Sequence, residues 1–537
     1  MDRISKPTSA KQPRISQKAV VLHEEQADIA VEPSCSITVP DSPTKAELKM
    51  EITNLKEKLS SLMEELEKKE TKKRSRNRRS QKKAKKATIL KQLSTILPSE
   101  SMTFFTSQLR ENNKSKNGYR WTENDKVTAL SLLHTSLKAY RLLKKIFLLP
   151  SVSTLKRTMQ KIKIYPGFSE KILEGLKVKI AAYPPNSNLC ALLIDEMTIK
   201  EQVKYNEEKN EVEGFEDFGS DSRTHLIANH ATVFMLRGLI SSWKQPIGYF
   251  LSSGPMPSER QFDLIKECVN KVQGAGLKVK VIIADQGANN RKTFEKQFNI
   301  SESHPFLLHN NGKIFFMYDP PHLLKNIRNN LKKHGFLVNG SLCSWEHVEN
   351  FFKFDKQNSV RMAPKLTEKH MILPPFSKMN VLLAAQVLSH SVAAGISTLV
   401  QFGTLPGAAK QTALFIERFD QLFNAFNSSR LSSGRQMGHA MSRSSGHKEF
   451  FCDTLQWLRT VETPSSNALP CLTGWKMTVQ ALLELFDELQ TNHGISFLLT
   501  DRLNQDCLEN FFLAFGEKGD IYIIPLQNSL DYSSVSS

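Results

Sequence analysis

Two strand-length apolar runs that each end in an aspartate constrain the fold of this sequence most. The first is Cys190-Ala-Leu-Leu-Ile-Asp195 and the second is Val279-Lys-Val-Ile-Ile-Ala-Asp285. Their length and their branched side chains predict two central strands of a sheet that is covered on both faces. A carboxylate at the end of such a strand leaves the core and faces a cleft, although a lone strand-end aspartate is more often structural.

A third acid, Glu509, follows far downstream in the segment Arg502-Leu-Asn-Gln-Asp-Cys-Leu-Glu-Asn-Phe-Phe512. Three converging carboxylates can hold two divalent cations about 3.5–4 Å apart, an arrangement used for in-line phosphoryl transfer. Hard cations such as Mg²⁺ prefer oxygen ligands. We therefore predict that Asp195, Asp285 and Glu509 are catalytic and bind two Mg²⁺ ions. We do not include Glu196 among the predicted metal ligands, because consecutive side chains of a strand point to opposite faces and Glu196 follows Asp195 directly.

The charge of the chain is strongly positive and uneven. The 537 residues carry a formal net charge of +19, and residues 68–86 contain twelve Lys or Arg against one Glu. Such a balance favours nucleic acid as a partner. We interpret the run as a phosphate-contacting segment and nuclear import signal, with a solvated linker as the alternative. The seven scattered cysteines lack metal-ligand spacing and indicate reduced thiols.

The N-terminal part divides by composition. Residues 1–43 are polar and aperiodic, and we expect a disordered arm. Residues 44–70 carry an apolar seam with alternating spacings of four and three, formed by Leu48, Ile52, Leu55, Leu59, Leu62 and Leu66. The seam predicts a coiled coil that joins identical chains. A single amphipathic helix packed on its own domain is the alternative. Residues 71–118 are interpreted as a basic linker.

Residues 119–180 have the pattern of a helix-turn-helix module. Thr122 is a candidate N-cap, and a second helix follows the turn at Pro150. Lys156 and Arg157 near the last helix suit DNA contact, as do Lys161 and Lys163. A plain helical linker is the alternative.

From residue 185 the pattern changes to strands. Residues 185–339 predict the order β-β-β-α-β-α-β, which indicates a mixed sheet with helices on it. Residues 340–500 are mostly helical and too long for a connection, so they indicate an inserted domain. Residues 501–516 form a last helix and residues 517–537 a tail. No apolar run approaches the length of a membrane span, and we expect no membrane partner.

The segment Asp319-Pro-Pro-His322 has a plain structural explanation. Asp319 can cap the following helix while the prolines set its first turn. Lys325, Arg328 and Lys332 then recur at helical spacing, which suits contacts with DNA phosphates or, alternatively, structural packing.

Four motifs in order carry a resemblance to a known family. They are Leu193-Ile-Asp-Glu-Met-Thr-Ile-Lys200, Ala284-Asp-Gln-Gly-Ala-Asn-Asn-Arg291, the Asp-Pro-Pro-His segment within residues 318–330, and residues 502–512. Together they resemble the P-element transposases and their THAP-containing relatives, over residues 119–515. The resemblance implies an RNase H-like core interrupted by an all-helical, GTP-binding insertion. It also implies Mg²⁺-dependent DNA strand cleavage and transfer at transposon ends, in the nucleus.

The resemblance further places Asp506, Phe423 and Asn427 around a guanine nucleotide, although Asn424 stands where the family tends to show an acid. No Gly-x-x-x-x-Gly-Lys-Ser/Thr loop is present in the sequence, so a P-loop mechanism is excluded. The cysteines of a THAP zinc finger are lacking and the segment after Phe512 is short. These departures leave open a non-catalytic, decayed or domesticated DNA-binding derivative.

Overall fold

The computed structural model describes residues 44–516 apart from 113, 161–164, 182, 207–209, 220–221, 311, 436 and 465–468. The predicted arm, the tail, Cys35, Lys161 and Lys163 lie outside the described residues. The chain divides into two compact units, with the boundary between Met102 and Thr103. We describe each unit by itself.

The first unit is dominated by one helix, α1 (Lys45–Leu93), of 49 residues. At its start the Glu47 carboxylate accepts hydrogen bonds from the backbone N–H and the hydroxyl of Thr44. The helix continues through the basic run, where ion pairs at i,i+4 join Glu64 to Lys68 and Glu70 to Arg74. All six seam residues are exposed in the single chain. The coiled coil therefore stays a prediction.

Four helices come next: α2 (Ser99–Glu111), α3 (Glu123–Thr135), α4 (Leu137–Ile146) and α5 (Val152–Gln160). Helices α3 to α5 surround a small separate core of Ala129, Leu130, Tyr140, Leu149 and Leu155. The predicted Thr122 cap is confirmed, since its hydroxyl accepts from the backbone of Asp125. Lys156 and Arg157 are exposed on α5. The helix-turn-helix assignment of these three helices and its DNA contact stay predictions.

The centre of the second unit is a nine-stranded mixed sheet. The strands from Gly167 to Tyr318 are β1 (Gly167–Phe168), β2 (Leu189–Thr198), β3 (Lys204–Asn206), β4 (Glu211–Glu213), β5 (Phe215–Asp217), β6 (Arg223–Ile227), β7 (His230–Gly238), β8 (Lys244–Ser252), β9 (Lys278–Ala284), β10 (Phe306–His309) and β11 (Gly312–Tyr318). The order in the nine-stranded sheet is β10-β11-β9-β2-β7-β8-β5-β6, and β1 pairs with β8. Strands β3 and β4 pair with each other in a separate two-stranded sheet. Strands β2, β9 and β11 are parallel, whereas β7 and β8 run antiparallel. The predicted fold class, a mixed sheet with an inserted helical part, is confirmed. The segments β3 to β6 were not predicted.

Helices cover this sheet: α6 (Glu170–Ala181), α7 (Ser258–Gly274), α8 (Ala288–Arg291) with a π-helical turn at Lys292–Gln297, and α9 (Pro320–Lys333). Ile172, Leu173 and Leu176 of α6 belong to the main apolar core. Helix α6 therefore lies with the sheet, although the sequence-based boundary at residue 180 assigned it to the helix-turn-helix module.

The insertion is mostly helical, with α10 (Trp345–Gln357), α11 (Glu368–Ile372), α12 (Pro375–Lys378), α13 (Val381–Val387), α14 (His390–Gln401), α15 (Ala409–Phe426), α16 (His447–Arg459) and α17 (Pro470–His493). Five short strands accompany these helices among the described residues: β12 (Phe336–Val338), β13 (Ser341–Cys343), β14 (Met441–Ser442), β15 (Val461–Glu462) and β16 (Phe497–Leu498). Helix α18 (Asp506–Gly516) ends the described chain. Because α17 packs along β11, the last part of the insertion also covers the sheet.

The expectation that no apolar run reaches membrane-span length was wrong. Residues Val381–Gln401 meet the length and composition of a span, with a mean hydropathy of 1.4. The structure divides this stretch into α13 and α14 at Leu388 and Ser389. The inward side of α14, formed by Val392, Ala393, Ile396 and Leu399, is buried in the apolar core. These side chains account for the high hydropathy, because they form the interior of the helical part.

Candidate active site

Two aspartates occupy equivalent positions of two paired parallel strands. Asp285 directly follows β9 as predicted, but the expectation that Asp195 ends its strand was wrong, because β2 continues to Thr198. In the register of β2 and β9, Ile194 lies opposite Ala284, so Asp195 and Asp285 are the next residues on each strand. Asp195 Oδ1 accepts from the backbone of Glu196 at 2.9 Å. Burial raises the pKa of Asp195 to about 7, and the charge of Asp285 adds to the shift. The two carboxylates therefore share one weakly solvated end of the sheet.

Asp285 is held by the turn that follows its strand. Its Oδ1 accepts from the backbone N–H of Gly287 at 3.0 Å and from Asn290 Nδ2 at 2.5 Å. In both aspartates the hydrogen bonds from described residues go to Oδ1, and Oδ2 remains available to a ligand. The turn thus fixes the carboxylate without consuming both of its oxygens.

Asp319 connects this end of the sheet to α9. Its backbone N–H donates to Ala284 at 3.0 Å, and its Oδ2 accepts from the backbone of His322 at 2.9 Å. The predicted cap of α9 is confirmed, with prolines in the first turn. The side chain is fully buried, and burial raises the pKa of Asp319 to about 6. Its Oδ1 accepts from the backbone of Gln505 at 2.7 Å, which ties α9 to the start of α18.

Glu509 reaches the site from α18 and meets His322. The distance between His322 Nε2 and Glu509 Oε1 is 3.2 Å, and His322 Nδ1 lies 3.6 Å from Asp319 Oδ2. Burial alone would lower the pKa of His322, but the bond to Glu509 and the charges of Asp319 and Asp195 raise it to about 9. The same bond lowers the pKa of Glu509. The imidazolium therefore lies among carboxylates from three elements.

Lys325 places a second cation in the cluster. It lies three residues after His322 on α9 and is 6% exposed. Burial lowers its pKa, while the nearby charges of Asp285, Glu509, Asp319 and Asp195 raise it, in that order. The three predicted acids thus lie around Lys325, and two of them, Asp195 and Glu509, also lie near His322. Sequence reasoning did not assign a site role to His322 or Lys325; their spacing of three on the helix capped by Asp319 was the available signal.

The DNA-facing interpretation of the basic side chains of α9 was wrong for two of the three residues. Arg328 is fully buried, and its guanidinium donates to the carbonyls of Ser377 and Lys378 at 3.2 and 3.1 Å. Lys325 faces the carboxylates. Lys332 is half-buried and donates to the carbonyl of Met371. Helical spacing alone does not distinguish an outward basic face from one that the insertion covers.

The donor set fits a hard divalent cation in part. Asp195 and Asp285 offer free carboxylate oxygens on adjacent strands, which are suitable ligands for Mg²⁺. Glu509 is engaged by His322 instead. Among the described residues no three His, Cys, Asp or Glu side chains already stand at ligand spacing. Asp195 and Asp285 would hold a metal ion, and Glu509 is a further candidate ligand that is bonded to His322 in this structure.

The three residues assigned to a nucleotide lie near the segment that precedes α18. Asn504 Nδ2 donates to Asp506 Oδ2 at 3.1 Å and is 3.5 Å from Asn427 Oδ1. Asn427 follows the end of α15, and Phe423 lies one turn earlier, half-buried. Arg237 of β7 donates to Asn504 Oδ1 at 3.1 Å. The structure thus brings Asp506 and Asn427 together through Asn504, which sequence reasoning missed.

Comparisons with known proteins agree with this architecture. Residues 164–297 match the model described as TNP-like, RNase H N-terminal domain, and residues 321–438 match TNP-like, GTP-binding insertion domain. A solved structure titled "Drosophila P element transposase strand transfer complex" superposes with a TM-score of 0.66 at 26% identity, covering 82% of this chain and 96% of that chain. The class is therefore an RNase H-like core carrying a GTP-binding-type insertion domain.

Two curated relatives narrow the family. The "Transposable element P transposase" of Drosophila melanogaster is 26% identical over 436 residues, which is 77% of this chain and 54% of the relative. The human "DNA transposase THAP9" is 26% identical over 337 residues, which is 58% of this chain and 36% of the relative. The chain thus spans about half of the first relative and about a third of the second. By these matches the chain is similar to the P-element-type transposases.

Proposed function

We propose that the chain is a P-element-like DNA transposase that cleaves and transfers DNA strands at transposon ends with Mg²⁺. One observation supports this most. Asp195 of β2 and Asp285 directly after β9 occupy equivalent positions of two adjacent parallel strands, and Glu509 enters the same cluster from α18. This geometry suits an active site for phosphoryl transfer, because carboxylates from separate elements lie in one cluster.

The side chains divide the work. Asp195, Asp285 and Glu509 would hold two Mg²⁺ ions, which supply the positive charge that an in-line displacement at phosphorus requires. Lys325 and His322 balance the carboxylates before the ions bind. Asp319 fixes the first turn of α9 and thereby the position of the side chains of His322 and Lys325. Asp319 and Lys325 are buried, which strengthens their electrostatic interactions because water is excluded around them.

GTP is the second proposed cofactor. The match of residues 321–438 to a GTP-binding insertion domain supports it. Asp506 would accept hydrogen bonds from the guanine, and Phe423 and Asn427 would line the nucleotide beside it. Because Asp506 lies three residues before Glu509 on α18, nucleotide and carboxylate cluster share one helix.

DNA is the proposed partner, in the nucleus. The charge of the run at 68–86 and the exposed Lys156 and Arg157 support phosphate contacts. The exposed seam of α1 supports association of identical chains.

Cleavage of terminal DNA tests the proposal. Asp285→Asn should abolish Mg²⁺-dependent cleavage, because it removes one negative charge from the metal ligands, and should leave DNA affinity within about twofold. Asp263→Asn is the matched control, since Asp263 is exposed on α7. Equal cleavage by Asp285→Asn and the control would refute the catalytic assignment.

A non-catalytic DNA-binding derivative is the second candidate. The observation that favours it is the bond between Glu509 and His322, which engages one of the three acids. The same assay separates the two: the derivative binds terminal DNA but gives no Mg²⁺-dependent product with any variant.

A further inference from the structure

Gln505 joins the segment near the nucleotide residues to the carboxylate cluster. It is fully buried, and its Nε2 donates to the carbonyl of Ile194, the residue before Asp195, at 2.5 Å. Its backbone N–H donates to Asp319 Oδ1 at 2.7 Å. One residue therefore contacts both β2, directly before Asp195, and the cap of α9.

Gln505 also begins the helix that carries Glu509. Its carbonyl accepts from the backbone N–H groups of Leu508 and Glu509 at 2.8 and 2.9 Å. The direction of the first turn of α18, and with it the place of Glu509, follows from where Gln505 is held. Displacing the Gln505 backbone would therefore move Glu509 relative to Asp195.

The residues on either side of Gln505, Asn504 and Asp506, lie on the side of the proposed nucleotide site. Asn504 is extended and bonds Asp506 and Arg237, whereas Gln505 bonds Asp319 and Ile194. In an extended segment consecutive side chains leave on opposite sides. The Asn504 side chain thus lies with Asp506 on the proposed nucleotide side, whereas the Gln505 side chain reaches the backbone of β2 beside Asp195.

Stability alone does not require glutamine at this position. Gln505 Oε1 is buried without a hydrogen-bond partner among the described residues. An unpaired buried acceptor is unfavourable, and a methionine of similar length would avoid it. The amide is therefore best explained by its donor group, which fastens the segment to β2.

We propose that Gln505 is a positioning residue through which guanine nucleotide binding beside Asp506 sets the place of Glu509 and so raises the affinity of the carboxylate cluster for divalent cations. The inference rests on the proposed function of the two sites. Coupling between two binding sites is reciprocal, and one ligand typically changes the affinity of the other by about fivefold or more.

Calorimetric titration of the full chain with Mn²⁺, in the presence and absence of GTP, tests the inference. Wild type should bind Mn²⁺ about fivefold or more tightly when GTP is present. Gln505→Met should bind GTP and Mn²⁺ separately, each within about twofold of wild type, but without coupling. Gln480→Met is the control, because that side chain bonds Glu484 of its own helix.

The outcomes separate the inference from the proposed function. Preserved coupling in Gln505→Met, or no coupling in a wild type that binds both ligands, would overturn the inference and leave the function standing. A wild type that binds neither ligand would overturn the proposed function. If Gln505→Met does not fold, Gln505→Asn keeps the amide but is one methylene too short to reach Ile194. Unfolding of both variants would assign Gln505 a purely structural role and overturn the proposal.

Discussion

Replacing Lys280 by methionine should destabilise the contact between α17 and the sheet. Lys280 Nζ lies 2.6 Å from Glu488 Oε1, and each side chain is 9% exposed. Glu488 Oε2 is already buried without a hydrogen-bond partner among the described residues. Removing the cation leaves a buried carboxylate uncompensated, which costs about 3–5 kcal/mol.

The double variant separates the charge effect from lost packing. Replacing both partners by apolar side chains of similar volume, Lys280→Met with Glu488→Leu, removes the unpaired charge. Such replacements of buried ion pairs are often neutral or stabilising by about 1–4 kcal/mol. The double variant should therefore recover most or all of the stability that the single variant loses.

Urea denaturation and hydrogen exchange measure the effect. The single variant should shift the unfolding midpoint downward and speed exchange of amides in α17 and β9. Lys278→Met is the control, because Lys278 is exposed two residues earlier on the same strand, and a surface change of this kind alters stability by about 0.5 kcal/mol or less.

The contact also bears on the site. Thr478 of α17 accepts at its hydroxyl from the backbone of Tyr318, directly before Asp319, at 3.0 Å. Loosening α17 should therefore lower DNA cleavage in the single variant and not in the double variant. A Lys280→Met protein as stable as the control, or a double variant no more stable than the single, would refute this reasoning.

Three further predictions concern other parts of the chain. Lys325→Met should raise Mn²⁺ affinity about tenfold, about 1.4 kcal/mol, because the ammonium no longer competes with the ion; calorimetry checks this, with the exposed Lys333→Met as control, and unchanged affinity would contradict it. Leu55→Pro should abolish self-association of α1, since an interior proline costs about 3 kcal/mol or more; an unchanged sedimentation coefficient would exclude the coiled coil. Four arginines of the basic run, Arg74, Arg76, Arg78 and Arg79, can be replaced together by alanine. The slope of log DNA affinity against log salt should then flatten by up to about four units, and an unchanged slope would limit the basic run to nuclear import.

The strands that carry the aspartates were predictable because their signal is local. A branched apolar run has one stable environment, the middle of a covered sheet, and both β2 and β9 lie there. The Thr122 and Asp319 caps were predictable for the same reason, because a cap is decided within four residues. By contrast, β3 to β6 are short and largely polar, and they carry no periodicity that marks a strand.

The environment of the basic side chains on α9 depended on distant residues. The carbonyls that bind Arg328 come from Ser377 and Lys378, about fifty positions away along the chain. The same holds for Gln505, whose partners Ile194 and Asp319 no local pattern connects to it. Roles decided by such tertiary contacts were beyond sequence reasoning, whereas the acids themselves were recognisable by motif.

The bonds of Gln505 also constrain how the protein folds. They join residues separated by 311 positions to Ile194 and by 186 positions to Asp319. During synthesis β2, β9 and β11 emerge long before α18, and domains generally form as units from the N-terminal side. The acids Asp195, Asp285 and Asp319 therefore remain exposed to solvent until the whole insertion and α18 have been synthesised. Closure of the site is expected to be among the last steps of folding, and variants that slow folding of the insertion would prolong the exposure of this sheet end.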